Sequence, residues 1–182
     1  IIPGPDTDLV SYLGFWNGEG KEVAFITKRK LRQFPSLYGN GSIQRTEILP
    51  EVAEMSRRLL RALDYRGFAG VEFKVDRHND SLRLIEINPR SSAMNELAVV
   101  AGVDFPWIAY RSLLGMGMDG EQPGFRPDIT CVNEEWDVQA FLELNRRGEM
   151  TFREWIKSLR GAHRIIAARD DPKPLLFGLF RG

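Results

Sequence analysis

Two short stretches constrain this chain more than anything else in it. They are Gly70-Val71-Glu72-Phe73-Lys74-Val75-Asp76 and, a little further on, Leu84-Ile85-Glu86-Ile87-Asn88-Pro89-Arg90. Both mix apolar and polar residues with a period of two, the pattern of a strand with one buried and one wet face. On the first, Glu72 shares a face with Lys74 and Asp76. On the second, Glu86 shares a face with Asn88. Val71, Phe73 and Val75, like Ile85 and Ile87, are expected to point the other way into a core. The polar turn Asp76-Arg77-His78-Asn79-Asp80-Ser81 joins the two as an antiparallel hairpin. Such a hairpin is expected to bring Glu72 opposite Glu86, with Asn88 two positions along.

Two carboxylates and an amide on one sheet face are hard oxygen donors, the kind Mg²⁺ prefers. Without a cation the carboxylates repel, and one of them rises in pKa. The cluster therefore asks for a metal, or for Arg90 and Lys74 as counter-charges. A solvated polar face above a buried apolar one is the plain alternative for the same hairpin.

The rest of the chain supplies a compact body for this hairpin. Residues 1–5, Ile1-Ile2-Pro3-Gly4-Pro5, read as a rigid turn. The runs 9–16 and 22–28 flank Asn17-Gly18-Glu19-Gly20 and form a second hairpin. Residues 29–41 read as a basic loop with turn glycines Gly39 and Gly41. A helix is expected over 49–65, with Pro50 near its start, Val52, Met55, Leu59, Leu60 and Leu63 at helical spacing, and Gly67 as its stop. Strands are expected over 70–75 and 82–87. Helices follow over 93–101 and over 105–114, the second capped by Asp104. Residues 115–117 and 120–127 read as a linker. A strand over 129–132, a helix over 135–147 and a helix opened by Thr151 with Glu154 complete the reading. The expected class is α+β, an antiparallel sheet with helices packed on one side.

Composition narrows the function classes. The 182 residues are 43% hydrophobic, enough for one domain with a core. Charges balance at 25 basic and 25 acidic residues, so no electrostatic footprint points to nucleic acid or to an anionic membrane. No apolar run approaches the ~20 residues of a membrane span, and residues 1–9 lack a basic leader. The single cysteine, Cys131, excludes an internal disulfide and fits a reducing compartment. A cytoplasmic protein is the expectation, with homo-oligomer formation left open. The start at Ile1 and the apolar run 175–180 lead to the expectation of a fragment. His78 and His163 read as surface residues, and Trp16, Trp107, Trp136 and Trp155 as core or interface. No Ser/His/Asp or Cys/His arrangement supports nucleophilic hydrolysis.

Glu72, then Glu86, then Asn88, with Glu86-Ile87-Asn88-Pro89-Arg90 closing the strand, resembles the metal-binding signature of the ATP-grasp superfamily. Biotin carboxylase, the large subunit of carbamoyl phosphate synthetase and D-alanine–D-alanine ligase are among its members. The resemblance extends outward in the family's order. Ile2-Pro3-Gly4-Pro5-Asp6-Thr7-Asp8 looks like the segment after the adenine-binding hinge. Lys28-Arg29-Lys30-Leu31-Arg32-Gln33-Phe34-Pro35 looks like the basic strand and loop that reaches the phosphates. Ala98-Val99-Val100-Ala101-Gly102-Val103-Asp104-Phe105-Pro106 looks like the helix that follows in carboxylate–amine ligases. On this resemblance residues 1–116 form the C-terminal lobe of the fold, and 117–182 a family-specific segment packing on it.

The resemblance implies a chemistry and a set of roles. Glu72 and Glu86 would bind Mg²⁺ or Mn²⁺, with Glu86 the bridge between two ions and Asn88 completing the second site. Arg90 would steady the γ-phosphate of ATP or an acyl phosphate. Arg29 and Arg32 would contact phosphate or acyl phosphate, with Lys28 and Lys30 beside them. Asp8 would meet the ribose or a basic loop residue. A substrate carboxylate would attack the γ-phosphate to give an acyl phosphate, and an amine would displace phosphate. Small-molecule carboxylate and amine substrates are the implied partners. The family's first lobe, with its phosphate-binding lysine and glycine-rich loop, is not in this sequence. The chain alone is therefore expected to bind nucleotide weakly and to turn nothing over. A non-catalytic nucleotide-binding or assembly module keeping the fold is the alternative.

Overall fold

The computed structural model describes residues 2–36, 39–116 and 124–167 together with Lys173. The elements run β1 (Leu9–Trp16), β2 (Glu22–Phe34), β3 (Asn40–Thr46), α1 (Pro50–Ala62), β4 (Gly67–Asp76) and β5 (Ser81–Asn88). They continue with α2 (Asn95–Ala101), α3 (Phe105–Leu113), β6 (Thr130–Val132), α4 (Glu134–Arg146), α5 (Phe152–Ser158) and β7 (His163–Arg164). The seven strands form one sheet in the order β5-β4-β1-β2-β3-β6-β7. Every pairing is antiparallel except β6 with β7.

Strand β1 lies near the centre, and all of its residues are buried. Its even-numbered side chains Val10, Tyr12 and Trp16 join Ala69, Val71 and Phe73 of β4 under Val52, Ala53 and Leu60 of α1. Its odd-numbered Leu13 and Phe15 join Ala24 and Ile26 of β2 under α2 and α3, through Ala98, Phe105 and Ile108. Each large apolar side chain contributes about 1.5–3 kcal/mol by leaving water. The α+β class and its antiparallel sheet are present as expected. Helices, however, lie over both faces rather than one, because the central strand is apolar on both. Among the described residues, no helix is long and apolar enough to cross a membrane.

The local signals for helix ends were sound. Pro50 occupies the first turn of α1. Asp104 caps α3 by accepting from the Trp107 N–H at 3.0 Å. Thr151 and Glu154 form a reciprocal capping box on α5.

The largest departure concerns residues 29–41. They are not a basic loop: β2 runs without a break to Phe34, and β3 opens at Asn40. Polar side chains on both faces of β2 find partners, which lets a run without an apolar face remain a strand. A second departure is Ile85. Glu72 pairs with Glu86 and Phe73 with Leu84, so Ile85 is an extra residue in β5, a bulge. It lies 47% exposed at a cavity instead of in the core, whereas Ile87 does pack on the α1 core. Bulges re-aim side chains in this way and favour edge strands such as β5.

The same sheet takes in β6 and β7, since β6 pairs with β3 through Ile43↔Val132 and Gln44↔Cys131 and with β7 through Cys131↔His163. Of the linker expected at 115–117 and 120–127, residues 117 and 120–123 lie outside the described residues, as does the whole apolar run 175–180.

Candidate functional site

A cavity of about 810 Å³ opens on the sheet face carried by the odd-numbered residues of β1. The register explains why its wall is polar. Glu86 on β5 sits opposite Glu72 on β4, Glu72 opposite Ser11 on β1, and Ser11 opposite Lys28 on β2. Directly opposed residues share a face, so one row of polar side chains crosses four strands. Asn88, two positions along β5, lies opposite Gly70 on the same wall.

The contacts within this row are specific. Lys30 Nζ donates to Glu72 Oε1 at 3.0 Å, and Ser11 Oγ donates to Glu72 Oε2 at 3.5 Å. Asn88 Nδ2 donates to Glu86 Oε1 at 2.7 Å. Lys28 Nζ donates to Gln44 Oε1 at 2.5 Å. Lys74 Nζ, on the same face as Glu72, donates to the Gly4 carbonyl at 2.9 Å. Arg90, just past β5, lines the cavity with its side chain exposed, donating to the Ser91 carbonyl at 3.3 Å.

Burial sets the electrostatics. It pushes the Lys28 ammonium down to about 8, against the pull of Glu72 and with an added push from Lys30. Burial also raises the Asp6 carboxyl, opposed by the hydrogen bond it accepts from Gln33 Nε2 at 2.7 Å.

Five of the expected site residues thus come together on the cavity: Lys28, Glu72, Glu86, Asn88 and Arg90. Three do not. Arg29 points to the other side of β2, where it donates twice to Glu47, at 2.7 and 2.9 Å, and to the Thr7 carbonyl at 2.7 Å. Arg32 is buried in a two-bond pair with Asp137, both bonds 2.8 Å long. Asp8 is buried and accepts two bonds from Arg77, at 2.7 and 2.8 Å. A bulge between Lys30 and Arg32 separates the cavity-facing lysines from the arginine. Lys28 and Lys30 take the position the arginines were expected to fill.

Ser11, Gln33, Gln44 and Asp6 also line the cavity and went unmarked in the sequence. A signal for Gln44 did exist. Ser42, Gln44 and Thr46 alternate along β3 and are all buried, a polar face that only a polar cavity or a buried network explains.

The donor set suits a hard cation: two carboxylates opposite each other and an amide oxygen beside them. Among the described residues no three His, Cys, Asp or Glu side chains converge, so the fit rests on Glu72, Glu86 and the Asn88 amide. The lysines beside them suit an anion rich in oxygen.

Comparison with known proteins adds a family and a fold. A model of the family described as "ATP-grasp in the biosynthetic pathway with Ter operon" matches residues 15–138. Among solved structures, biotin carboxylase in a βγ-ATP complex from Campylobacter jejuni matches 69% of this chain at 18% identity and a TM-score of 0.57, over 29% of its own length. The phosphoribosylaminoimidazole carboxylase ATPase subunit from Aquifex aeolicus matches 69% at 19% identity and a TM-score of 0.53, over 38% of its length. Pyruvate carboxylase from Rhizobium etli matches 67% at 20% identity and 0.53, over 13% of its length. At these identities the likeness is one of fold, and the chain spans well under half of each protein.

Proposed function

This chain belongs to the ATP-grasp family found in the biosynthetic pathway with Ter operon, and from that premise we propose that its cavity serves an ATP-dependent ligase joining a carboxylate to an amine. Glu72 and Glu86 oppose each other, with Asn88 bonded to Glu86, on the same cavity wall as Lys28 and Lys30, and this juxtaposition carries the proposal. Oxygen donors for a divalent cation and ammonium donors for phosphate line one space. That is what a metal–polyphosphate complex requires.

Glu72, Glu86 and Asn88 are the residues that would hold Mg²⁺ or Mn²⁺. Bound there, the cation supplies neutralisation of charge on the transferring phosphoryl group. Lys28 and Lys30 face the phosphates, and Arg90 holds the γ-phosphoryl oxygens or the acyl phosphate that follows. Arg29 and Arg32 have no part in this reading, because Glu47 and Asp137 already saturate them. Asp8 is likewise engaged by Arg77.

The reaction proceeds in two displacements. A carboxylate oxygen of the substrate attacks the γ-phosphorus of ATP, the bond to the β-phosphate oxygen breaks, and ADP leaves. The amine nitrogen then attacks the acyl carbon, loses a proton, and expels inorganic phosphate. The chain's share is position and charge: Lys30 and Arg90 bear on oxygens that gain negative charge, and the sheet holds Lys30 in place.

Calorimetric titration of MgADP into the chain, beside Glu86→Gln, tests the reading. The expected result is binding that requires Mg²⁺ and weakens at least tenfold in the variant. Equal Mg²⁺-dependent binding by both proteins would refute the site.

A further inference from the structure

Glu72 already holds a cation of the protein's own. Lys30 Nζ lies 3.0 Å from Glu72 Oε1, with the two side chains only 11% and 16% exposed. The other hydrogen bond of this ammonium, to the Gly39 carbonyl, is a longer 3.3 Å. On Glu86, one oxygen accepts from the Asn88 amide at 2.7 Å. Each carboxylate therefore has an oxygen occupied by a neighbouring donor.

Lys28 and Lys30 balance Glu72 and Glu86 within the cluster, while Asp6, Lys74 and Arg90, which also line the cavity, add one net positive charge. A divalent cation arriving alone would carry the cluster to plus two, with two ammoniums facing it. A polyphosphate arriving alone would face two carboxylates. Each encounter sets like charges together in a site partly shielded from water, where their repulsion is strong. Arriving together, each ligand neutralises the other's repulsion. The ammonium displaced from Glu72 then finds a new acceptor in phosphate.

Lys30 is suited to that exchange. Its charge is compact and sits at the end of a flexible four-carbon stem, so it can change partner without a fixed fork geometry. It is bonded to Glu72 by one contact, and the cavity lies open beside it.

We propose, on the basis of the metal–nucleotide reading above, that Lys30 is a placeholder cation: it occupies Glu72 until a divalent metal and a polyphosphate arrive together, then transfers to the phosphates. The site accordingly takes the metal–nucleotide complex as a unit and discriminates against either component alone. Such coupling is reciprocal, since metal must strengthen nucleotide binding by the same factor that nucleotide strengthens metal binding.

The test uses Mn²⁺ as the metal probe, followed by the electron paramagnetic resonance of the free ion, and ADP followed by calorimetry. In the unaltered chain each is expected to tighten the other by tenfold or more. Lys30→Gln is expected to bind Mn²⁺ alone about tenfold more tightly and to lose most of the coupling. Glu72→Gln, which frees Lys30, is expected to bind metal-free ADP more tightly and to lose its dependence on Mn²⁺. Melting curves of both variants confirm folding. Cooperative binding in the unaltered chain, with metal-alone affinity unchanged or lower in Lys30→Gln and metal-free ADP affinity unchanged in Glu72→Gln, would overturn the placeholder and leave the ligand reading standing. An unaltered chain that binds neither Mn²⁺ nor the Mn²⁺–ADP complex would overturn both.

Discussion

Strand β2 makes two shielded ion pairs on the way from Lys30 to Arg32, and they differ in how completely they are satisfied. Arg32 and Asp137 are 5% and 1% exposed and share two bonds of 2.8 Å. Asp137 also accepts from Ser42 Oγ and Trp155 Nε1, each at 2.8 Å, while Arg32 reaches Ser158 Oγ at 3.2 Å. Lys30 and Glu72 share one bond of 3.0 Å on a cavity wall, and the second oxygen of Glu72 has only Ser11 at 3.5 Å. A saturated pair loses bonds by any movement. A pair with one contact and an open side can trade a partner for a ligand at small cost. Residue type would have favoured the arginine as the phosphate group. Partner saturation assigns it to the structure instead, tying α4 and α5 to β2.

That contrast can be broken most forcefully at Asp137. Asp137→Ala leaves Arg32 charged and buried without its carboxylate, and should cost about 3–5 kcal/mol. Urea unfolding should show a lower midpoint. A change under 1 kcal/mol would mean that the pair is not the anchor described.

Lys28 gives the next largest effect, and its sign follows from burial. Its folded value, about 8, lies below the roughly 10.4 of an unfolded lysine. Between these values the unfolded chain binds more protons, so stability rises with pH. Below about 8 both states hold the proton and the full cost is present, up to about 3 kcal/mol for this shift. The stability of the unaltered chain relative to Lys28→Met should therefore improve from pH 7 to pH 10. A pH-independent difference between the two would show that Lys28 is not held in this environment.

Lys30→Gln should have the smallest effect on stability, about 1 kcal/mol or less, because Glu72 keeps Ser11 and borders a cavity. Chemical denaturation of this variant beside Asp137→Ala sharpens the comparison directly. Equal losses in the two would erase the distinction between a saturated and an exchangeable pair.

The hairpin of β4 and β5 was legible because its apolar and polar residues alternate strictly around Glu72. The expected opposition of Glu72 and Glu86 is the observed register. Helix ends were legible where a single residue carries the signal, as at Asp104 and Thr151. The far half of β2 was not, since Lys28-Arg29-Lys30-Leu31-Arg32-Gln33 is polar on both faces and the apolar alternation that marks a strand is absent. Its partners, Glu47, Gln44 and Asp137, lie 16 to 105 residues away, beyond the reach of local pattern. For the same reason the sequence could not separate Lys30 from Arg32. The bulge that turns Ile85 outward depends on pairing with β4, which composition does not encode. The two-residue β7 exists only because β6 offers it an edge.

Glu72 and Glu86 are proposed as a metal site within a nucleotide cavity. Crystals grown with Mn²⁺ and ADP, measured at the manganese absorption edge, test it most directly. The expected result is an anomalous peak in contact with both carboxylates, with the Lys30 ammonium moved from Glu72 to a phosphate oxygen. A bound nucleotide with no peak at these carboxylates, or a peak held by other residues, would contradict it.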